Sequence, residues 1–365
     1  MCTERRDGYP IRGGLDGRCA MTAMLAFGRR GALGLLGALP LGPASASAQA
    51  RRRNWIVFRD RFVAPDGRVV DTGNGGISHT EGQGWAMLLA ATMDDRATFH
   101  LVHAWTRRHL SRPGDALFSW RFRPGARPPV DDPNNATDGD LYIAWALVRA
   151  AMRWQDPALL AAAGAIGRDV LRLLTREHGG QLLLLPGAHG FEDARRFVVN
   201  PSYLVLPAFA ALDQAAPDPR WRQLASDGLR LLREARFGRW GLAPDWLAVS
   251  RLDGRLSPAD GWPPRFSYDA VRVPLLLAWG GHRTAPAAQA ALRFWTDPEH
   301  PLPAAWVDLM TDTRAPYAAS GGVWAVAALL SGSAGEAAWA LAPQDDYYAA
   351  ALKMLVMVAE QDSNF

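Results

Sequence analysis

An all-α fold, with helices in an inner and an outer layer, is what this chain of 365 residues predicts. Two observations point there. Apolar residues recur at three- and four-residue spacing through most of the chain, which is the period of a helix with a buried face. Segments that are apolar all round also alternate with segments that carry a charged face. A helix without a polar face has to be enclosed by others. The alternation therefore implies that consecutive helices step between a buried ring and a half-wet one, which is an α/α barrel.

In chain order, the spacing predicts helices over 81–93, 96–110, 138–154, 157–174, 202–212, 219–237, 268–280, 285–295, 321–330 and 345–361. Residues 141–151 and 271–279 are almost wholly apolar and read as inner segments, whereas 97–110 carries Arg107, Arg108 and His109. The connections over 111–135 and 238–265 are long and rich in Pro, Gly, Trp and Arg. Loops of that length in a compact domain are usually functional or disordered, and their tryptophans argue against disorder. A minor β-hairpin is expected from 181–185 and 196–199. Because the long loops precede acidic helix starts, they should rise on the same face as those acids.

The first fifty residues read as a leader, followed by one catalytic domain over 51–365. A basic flank at Arg29-Arg30, an apolar run over 31–41 and a small-residue Ala-Ser-Ala exit have the build of a secretory signal. The apolar run is too short to span a bilayer, so a periplasmic or secreted protein with no membrane anchor is expected. The arginine pair also fits twin-arginine export, and Met21 and Met24 are alternative starts. Both cysteines, Cys2 and Cys19, fall in the leader, so no disulfide is expected in the domain. Without residues 1–50 the chain keeps 34 basic and 33 acidic residues, so most of the net charge of +4 belongs to the leader. A nucleic-acid partner needs a concentrated basic face, and none is visible. A monomer is expected.

Three helix entrances carry acids beside aromatic residues. Ala-Thr-Asp-Gly-Asp at 136–140 places Asp138 and Asp140 at the mouth of an apolar helix, with Thr137 or Asp138 suited to cap it. Glu81 lies in Ser-His-Thr-Glu-Gly-Gln-Gly-Trp, beside possible cap residues Ser78 and Thr80, and Asp269 lies in Phe-Ser-Tyr-Asp-Ala-Val-Arg. Three carboxylates so placed suggest acid–base chemistry on a sugar. Glycoside hydrolysis needs one protonated carboxylic acid for the leaving oxygen and one carboxylate to activate water or attack the sugar. Glu81 is the candidate acid. A helix N-terminus alone would hold it ionised, so burial or a neighbouring carboxylate, Asp138 being the obvious one, must push the other way. The plain alternative is a first-turn charge, but Gly82 and Gly84 in the same turn suggest close approach of something bulky. Asp269 is the candidate base, with Tyr268 to orient it and Arg272 at i+3 to keep it ionised. An ordinary intrahelical ion pair is the alternative there. Trp120, Tyr203 and Trp246 are candidate sugar platforms at the same end.

Other chemistries lack support. The eight histidines show no metal-ligand spacing, and there is no nucleophile elbow, phosphate loop or dinucleotide fingerprint. Neither a metal nor a cofactor is expected.

Residues 136–154 resemble the signature of glycoside hydrolase family eight, the cellulase D family, from Ala-Thr-Asp-Gly-Asp through Ile-Ala and Ala-Leu-Val to the closing Trp154. The segments around Glu81 and Asp269 resemble those carrying that family's general acid and general base, and Asn200-Pro201-Ser202-Tyr203 resembles a cleft segment. Trp85 and Ala86 depart from the family, where many relatives have Tyr and Gly. Within the family, the chain is most similar to periplasmic endoglucanases of bacterial cellulose-synthesis operons. The resemblance implies an (α/α)6 barrel and an inverting mechanism, with the Glu81 and Asp269 carboxyls roughly 6.5–9.5 Å apart. It also implies that Asp138 grips and distorts the sugar beside the scissile bond, and that Trp120, Tyr203, Tyr268 and Arg272 line the cleft. The expected function is a secreted endo-β-1,4-glucanase acting on β-1,4-glucan, with a link to a cellulose synthase complex. A same-fold chitosanase or lichenase, or a non-catalytic glucan-binding subunit of a synthase complex, are the alternatives. A binding module, however, needs aromatics and no acid–base pair.

Overall fold

The computed structural model describes residues 43–300 and 302–363, so most of the expected leader, with both cysteines, lies outside the described residues. Its last residues are helical: α1 runs Pro43–Phe62, and Ala50 is already buried. From Ser47 onward the chain packs as one compact unit.

Six helices close a ring. They are α2 (Thr80–Thr92), α4 (Thr137–Trp154), α6 (Leu206–Ala215), α8 (Arg272–Trp279), α10 (Gly321–Ser331) and α12 (Tyr347–Ser363). Each packs on the next, and α12 packs back on α2. Outside them lie α3 (Arg96–Leu110), α5 (Pro157–Leu173), α7 (Pro219–Glu234), α9 (Pro286–Trp295) and the single-turn α11 (Glu336–Trp339). Helix α1 completes the outer layer, with Phe58 and Phe62 packed 6.1 and 5.5 Å from the Tyr347 ring. This is the α/α barrel that the alternation of segments predicts, with the six inner helices that the family resemblance implies.

The sequence explains which helix goes where. Every residue of α2 except Glu81 is buried, and so is all of α8. In α7, by contrast, Trp221, Leu224, Gly228, Leu231 and Leu232 form one buried stripe and the rest faces out. Inner helices also need small residues to come close. A Cβ on Gly84 would lie 2.6 Å from Tyr142 Cβ, and one on Gly139 would lie 2.0 Å from Thr80 Oγ1. These glycines let α2 and α4 touch at their starts.

The two ends of the barrel are built differently. Connections from inner to outer helices are short, such as the single turn between α4 and α5. Connections from outer to inner helices, apart from the short link between α11 and α12, are long and hold the strands β1 (Ser78–His79) to β9 (Val307–Asp308). Asp95, Asp156 and Asp218 cap α3, α5 and α7, each accepting a first-turn N–H. The starts of α4, α6, α8 and α10 have no side-chain cap. The positive ends of these inner helices therefore open toward the loop-rich face, where they favour negative charge.

Several expectations need correction. The segments at 181–185 and 196–199 are strands but do not pair with each other. β4 (Gln181–Leu184) pairs with β3 (Thr175–His178), and β5 (Arg196–Val199) pairs with β6 (Leu247–Ser250), which in turn pairs with β7 (Leu256–Pro258). The tight turn at Gly179 and Gly180 closes the first hairpin, both at positive φ. The helices expected from 202 and 268 start later, at Leu206 and Arg272. Pro201–Tyr203 forms a 3₁₀ turn held by Asn200, whose side chain accepts from Ser202 N. Neither Thr137 nor Asp138 caps α4. Thr137 Oγ1 donates to Leu185 O at 2.6 Å instead. Helix α2 is capped neither by Ser78 nor by Thr80 but by His79, whose Nδ1 accepts from Gly82 N at 3.1 Å.

The contact at Gly139 yields a prediction. Gly139→Ala must push the starts of α2 and α4 apart, at a cost of about 1–3 kcal/mol for an overpacked core. Denaturant unfolding measures the cost, and an unchanged midpoint would show that the two helices are not held this closely.

Candidate active site

Arg272, the first residue of α8, organises the loop-rich face. Its side chain is 4% exposed, and its guanidinium meets three carboxylates at once. Nη1 lies 2.8 Å from Glu81 Oε1, while Nη2 lies 3.0 Å from Asp269 Oδ1 and 3.4 Å from Asp138 Oδ2. Nη2 also donates to Ser202 Oγ at 2.9 Å. The three acids come from the first turn of α2, the first turn of α4 and the turn just before α8. Because adjacent nitrogens of one rigid guanidinium hold them, the contacting oxygens of Glu81 and Asp269 are no more than about 8 Å apart. The cleft is graded in exposure: the side chain of Asp138 is 3% exposed, that of Glu81 14% and that of Asp269 31%.

Burial dominates the electrostatics of Glu81 and pushes its carboxyl well above the ordinary glutamate range. The Arg272 charge opposes that push, and Asp138 and Asp269 reinforce it. Asp138 is raised as well, first by burial, with Arg272 pulling the other way. Asp138 Oδ1 accepts from Gly139 N at 2.8 Å, an uncapped first-turn N–H. His79, besides capping α2, places Nε2 3.5 Å from Asp71 and Nδ1 3.8 Å from Glu81.

The floor beneath Arg272 is aromatic. Trp85 is buried with its ring 6.0 Å from the guanidinium, stacked 6.4 Å from Tyr347 and edge-on to Tyr142 at 5.8 Å. The glycines of the α2 start answer to the same rings, since a Cβ on Gly82 would come within 2.6 Å of Tyr347 OH.

The remaining expected residues are placed unevenly. Trp120 borders the start of α2, where its carbonyl accepts from Thr80 N at 3.0 Å. Its indole donates to Asp132 at 2.8 Å, and Arg121 covers its ring at 4.2 Å. Tyr203 is buried, and burial together with Asp138 and Asp269 raises its hydroxyl well above the usual range. Tyr268 is 42% exposed beside Asp269, its hydroxyl 3.2 Å from that of Tyr317. Trp246 stacks on both Phe191 and Trp262, at 5.7 and 5.0 Å, so protein rings occupy it. Asp140 stands apart from the cluster. It is buried, accepting from Phe118 N at 2.9 Å and Asn135 Nδ2 at 2.8 Å.

Sequence reasoning missed four groups. Tyr348 donates to Tyr268 O at 2.6 Å from the start of α12. Tyr317, 51% exposed, accepts from Trp306 Nε1 at 3.0 Å and extends the aromatic wall away from Asp269. Trp324, 44% exposed, stands in the first turn of the otherwise buried α10. Asp245, buried behind Asp269, is pushed up to about 7 by burial and then by the Asp269 charge. An exposed aromatic in the first turn of an apolar helix was a readable signal for Trp324. Asp245 carried none. Among the described residues, Asp297, Glu299 and His300 bring three potential metal ligands together. The carboxylates of that trio are already engaged by Trp240 and Arg239.

The chain is similar to known proteins along most of its length. The family model for glycosyl hydrolases family 8 matches residues 32–362. A probable endoglucanase of Novacetimonas hansenii is 48% identical over 345 residues, 94% of this chain and 99% of that protein. An endoglucanase of Cellulomonas uda is 41% identical over 278 residues, 76% of this chain and 77% of the other. The endo-β-1,4-glucanase CMCax of Acetobacter xylinum superposes with a TM-score of 0.81 at 46% identity, over 87% of this chain and 100% of that one.

Asp140 supplies a pH test. Its folded-state pKa is raised to about 8, mainly by burial. The stability this group contributes is therefore full below the ordinary aspartate range and is lost as pH rises through that value. Measured against Asp140→Asn, the wild-type unfolding free energy should fall between roughly pH 4 and pH 8. A flat difference across that window would mean that Asp140 is ionised in the folded protein.

Proposed function

The chain belongs to glycosyl hydrolase family 8, and from that premise we propose that it is an endo-β-1,4-glucanase that cuts its polymer with inversion. The contact of one guanidinium with all three carboxylates carries this reading.

In the proposed reaction, Glu81 gives its proton to the glycosidic oxygen as that bond breaks. A water held by Asp269 loses its proton to that carboxylate and attacks the anomeric carbon from the opposite face. Atoms balance as one water added across one bond, with Glu81 left ionised and Asp269 protonated until solvent restores both. Burial supports the first role, since it keeps Glu81 protonated at a pH where an exposed glutamate is ionised. The upper bound of about 8 Å set through Arg272 overlaps the spacing at which inverting enzymes hold a water between acid and base. Asp138, beside Arg272 and Glu81 at the start of α4, is assigned to grip the hydroxyls of the sugar beside the scissile bond. Trp120, Tyr203, Tyr268 and Arg272 are assigned to line the cleft, with Tyr317 extending it.

The name of the Acetobacter xylinum enzyme, an endo-β-1,4-glucanase, supports β-1,4-glucan over chitosan or mixed-linkage glucan. Trimming of nascent cellulose beside a synthase, outside the cytoplasm, is the setting we propose. It rests on the signal-like composition of the leader and on similarity along nearly the whole Novacetimonas protein. Among the described residues no helix is long and apolar enough to cross a membrane.

Glu81→Gln and Asp269→Asn should each lower kcat on carboxymethylcellulose by roughly 10²–10⁴-fold, the range for loss of a general acid or base. Proton NMR during wild-type digestion should show the α-anomer first, and a β-anomer would exclude inversion. Faster cutting of chitosan or lichenan than of carboxymethylcellulose would move the substrate assignment. Tyr317→Ala removes an exposed platform outside the reacting centre. It should raise KM for long cello-oligosaccharides by roughly threefold to tenfold, a stacking-sized loss, with kcat little changed.

A further inference from the structure

We propose that Asp245 is the positioning residue for the water-activating carboxylate: it clamps the turn that carries Asp269, and turnover depends on that clamp. The inference rests on the reading of Asp269 as the base.

The hydrogen bonds around Asp245 are the ground for it. Asp245 lies just ahead of β6, in the long connection between α7 and α8, and is 8% exposed. Its Oδ1 accepts from the backbone N–H of Ser267 at 3.0 Å and from that of Ala270 at 2.8 Å. Its Oδ2 accepts from the Ser267 hydroxyl. These donors stand on both sides of Asp269, so one carboxylate grips the turn before and after the base. The N–H of Asp245 donates in turn to Arg265 O at 2.8 Å, which ties the clamp to β8 (Arg265–Phe266).

The turn has reason to need holding. It precedes α8, whose start has no side-chain cap, so its N–H groups lack the partners that a helix interior supplies. Its carbonyls accept three bonds, from Val271 N to Ser267 O, from Arg272 N to Asp269 O and from Val273 N to Ala270 O, each 3.0 Å. The base also feels a lateral pull from Arg272 Nη2 at 3.0 Å. A catalytic group displaced by a fraction of an ångström loses much of its advantage. Tyr348 braces the opposite side through its bond to Tyr268 O.

The chemistry of the clamp suits an acid. Three donors converge on two oxygens, and a carboxylate is the side chain that accepts at both. Asparagine keeps the shape but turns an NH₂ toward one of these donors. Alanine removes every bond and leaves buried N–H groups unpaired. The two substitutions should therefore harm the enzyme in that order.

The experiment measures kcat and KM of the full-length protein on carboxymethylcellulose, with a thermal melt of each variant. Asp245→Ala should lower kcat by roughly 30- to 300-fold and Asp245→Asn by about tenfold, with KM within about threefold. If the alanine variant does not fold, Asp245→Asn and Ser267→Ala carry the test. Ser267→Ala deletes the hydroxyl alone and should cost kcat about threefold. In an Asp269→Asn background, Asp245→Asn should cost less than about twofold, because the clamp then has no base to place. Folded Asp245→Asn and Ser267→Ala enzymes with wild-type kcat would overturn the proposal. So would a loss that multiplies undiminished on top of Asp269→Asn, which would mark a general structural role. Near-normal turnover by Asp269→Asn alone would instead remove the base assignment, and the clamp with it.

Discussion

One buried cation facing three acids is the constraint on which the rest of this structure depends. Ionised together, Glu81, Asp138 and Asp269 would leave Arg272 outnumbered in a site largely withdrawn from water. Uncompensated charge there is costly, and the economical response is to keep a proton. Burial first, and then the acidic neighbours Asp138 and Asp269, push Glu81 well above the ordinary glutamate range. Arg272 thus does two things with one group. It holds the acids at fixed spacing, and its single charge only partly offsets the burial and acidic neighbours that raise Glu81.

The barrel is arranged to make that cluster possible. Inner helices meet closely because Gly84 and Gly139 present no side chain at the contact. Their N-termini, mostly without side-chain caps, present positive ends to the loop-rich face. The outer helices spend aspartates on capping, whereas the inner ones leave their first-turn N–H groups to carboxylates such as Asp138. Length follows the same division. Short links return the chain on one face, and long ones build the cleft walls on the other.

Acids near the site do unlike work. Asp140 shares a motif with Asp138, yet two residues further along a helix it faces another way and fastens the loop before α4. Asp245 shares no motif with Asp269 and is bound directly to the turn that carries it. Proximity in sequence is therefore a poor guide to membership of a site. On a helix, one and two residues of separation point side chains to different sides.

The sequence by itself determined the helical layers and the acids. Periodicity is a local property, so the inner and outer segments were legible, as were Glu81, Asp138, Asp269 and Arg272 at helix starts. The start of α8 shifted where a side chain from elsewhere, Asp245, took over the backbone, and at α2 the adjacent His79 caps in place of Ser78 or Thr80. The strand partners of 181–185 and 196–199 were not legible either, because pairing depends on which loops lie side by side. Only the tertiary structure decided that one guanidinium serves three carboxylates, that Trp246 is stacked under protein rings, and that Tyr317 and Tyr348 stand at the cleft. The physical reason is that local pattern reports what a segment buries, whereas charge balance and hydrogen-bond partners depend on residues brought together from far along the chain.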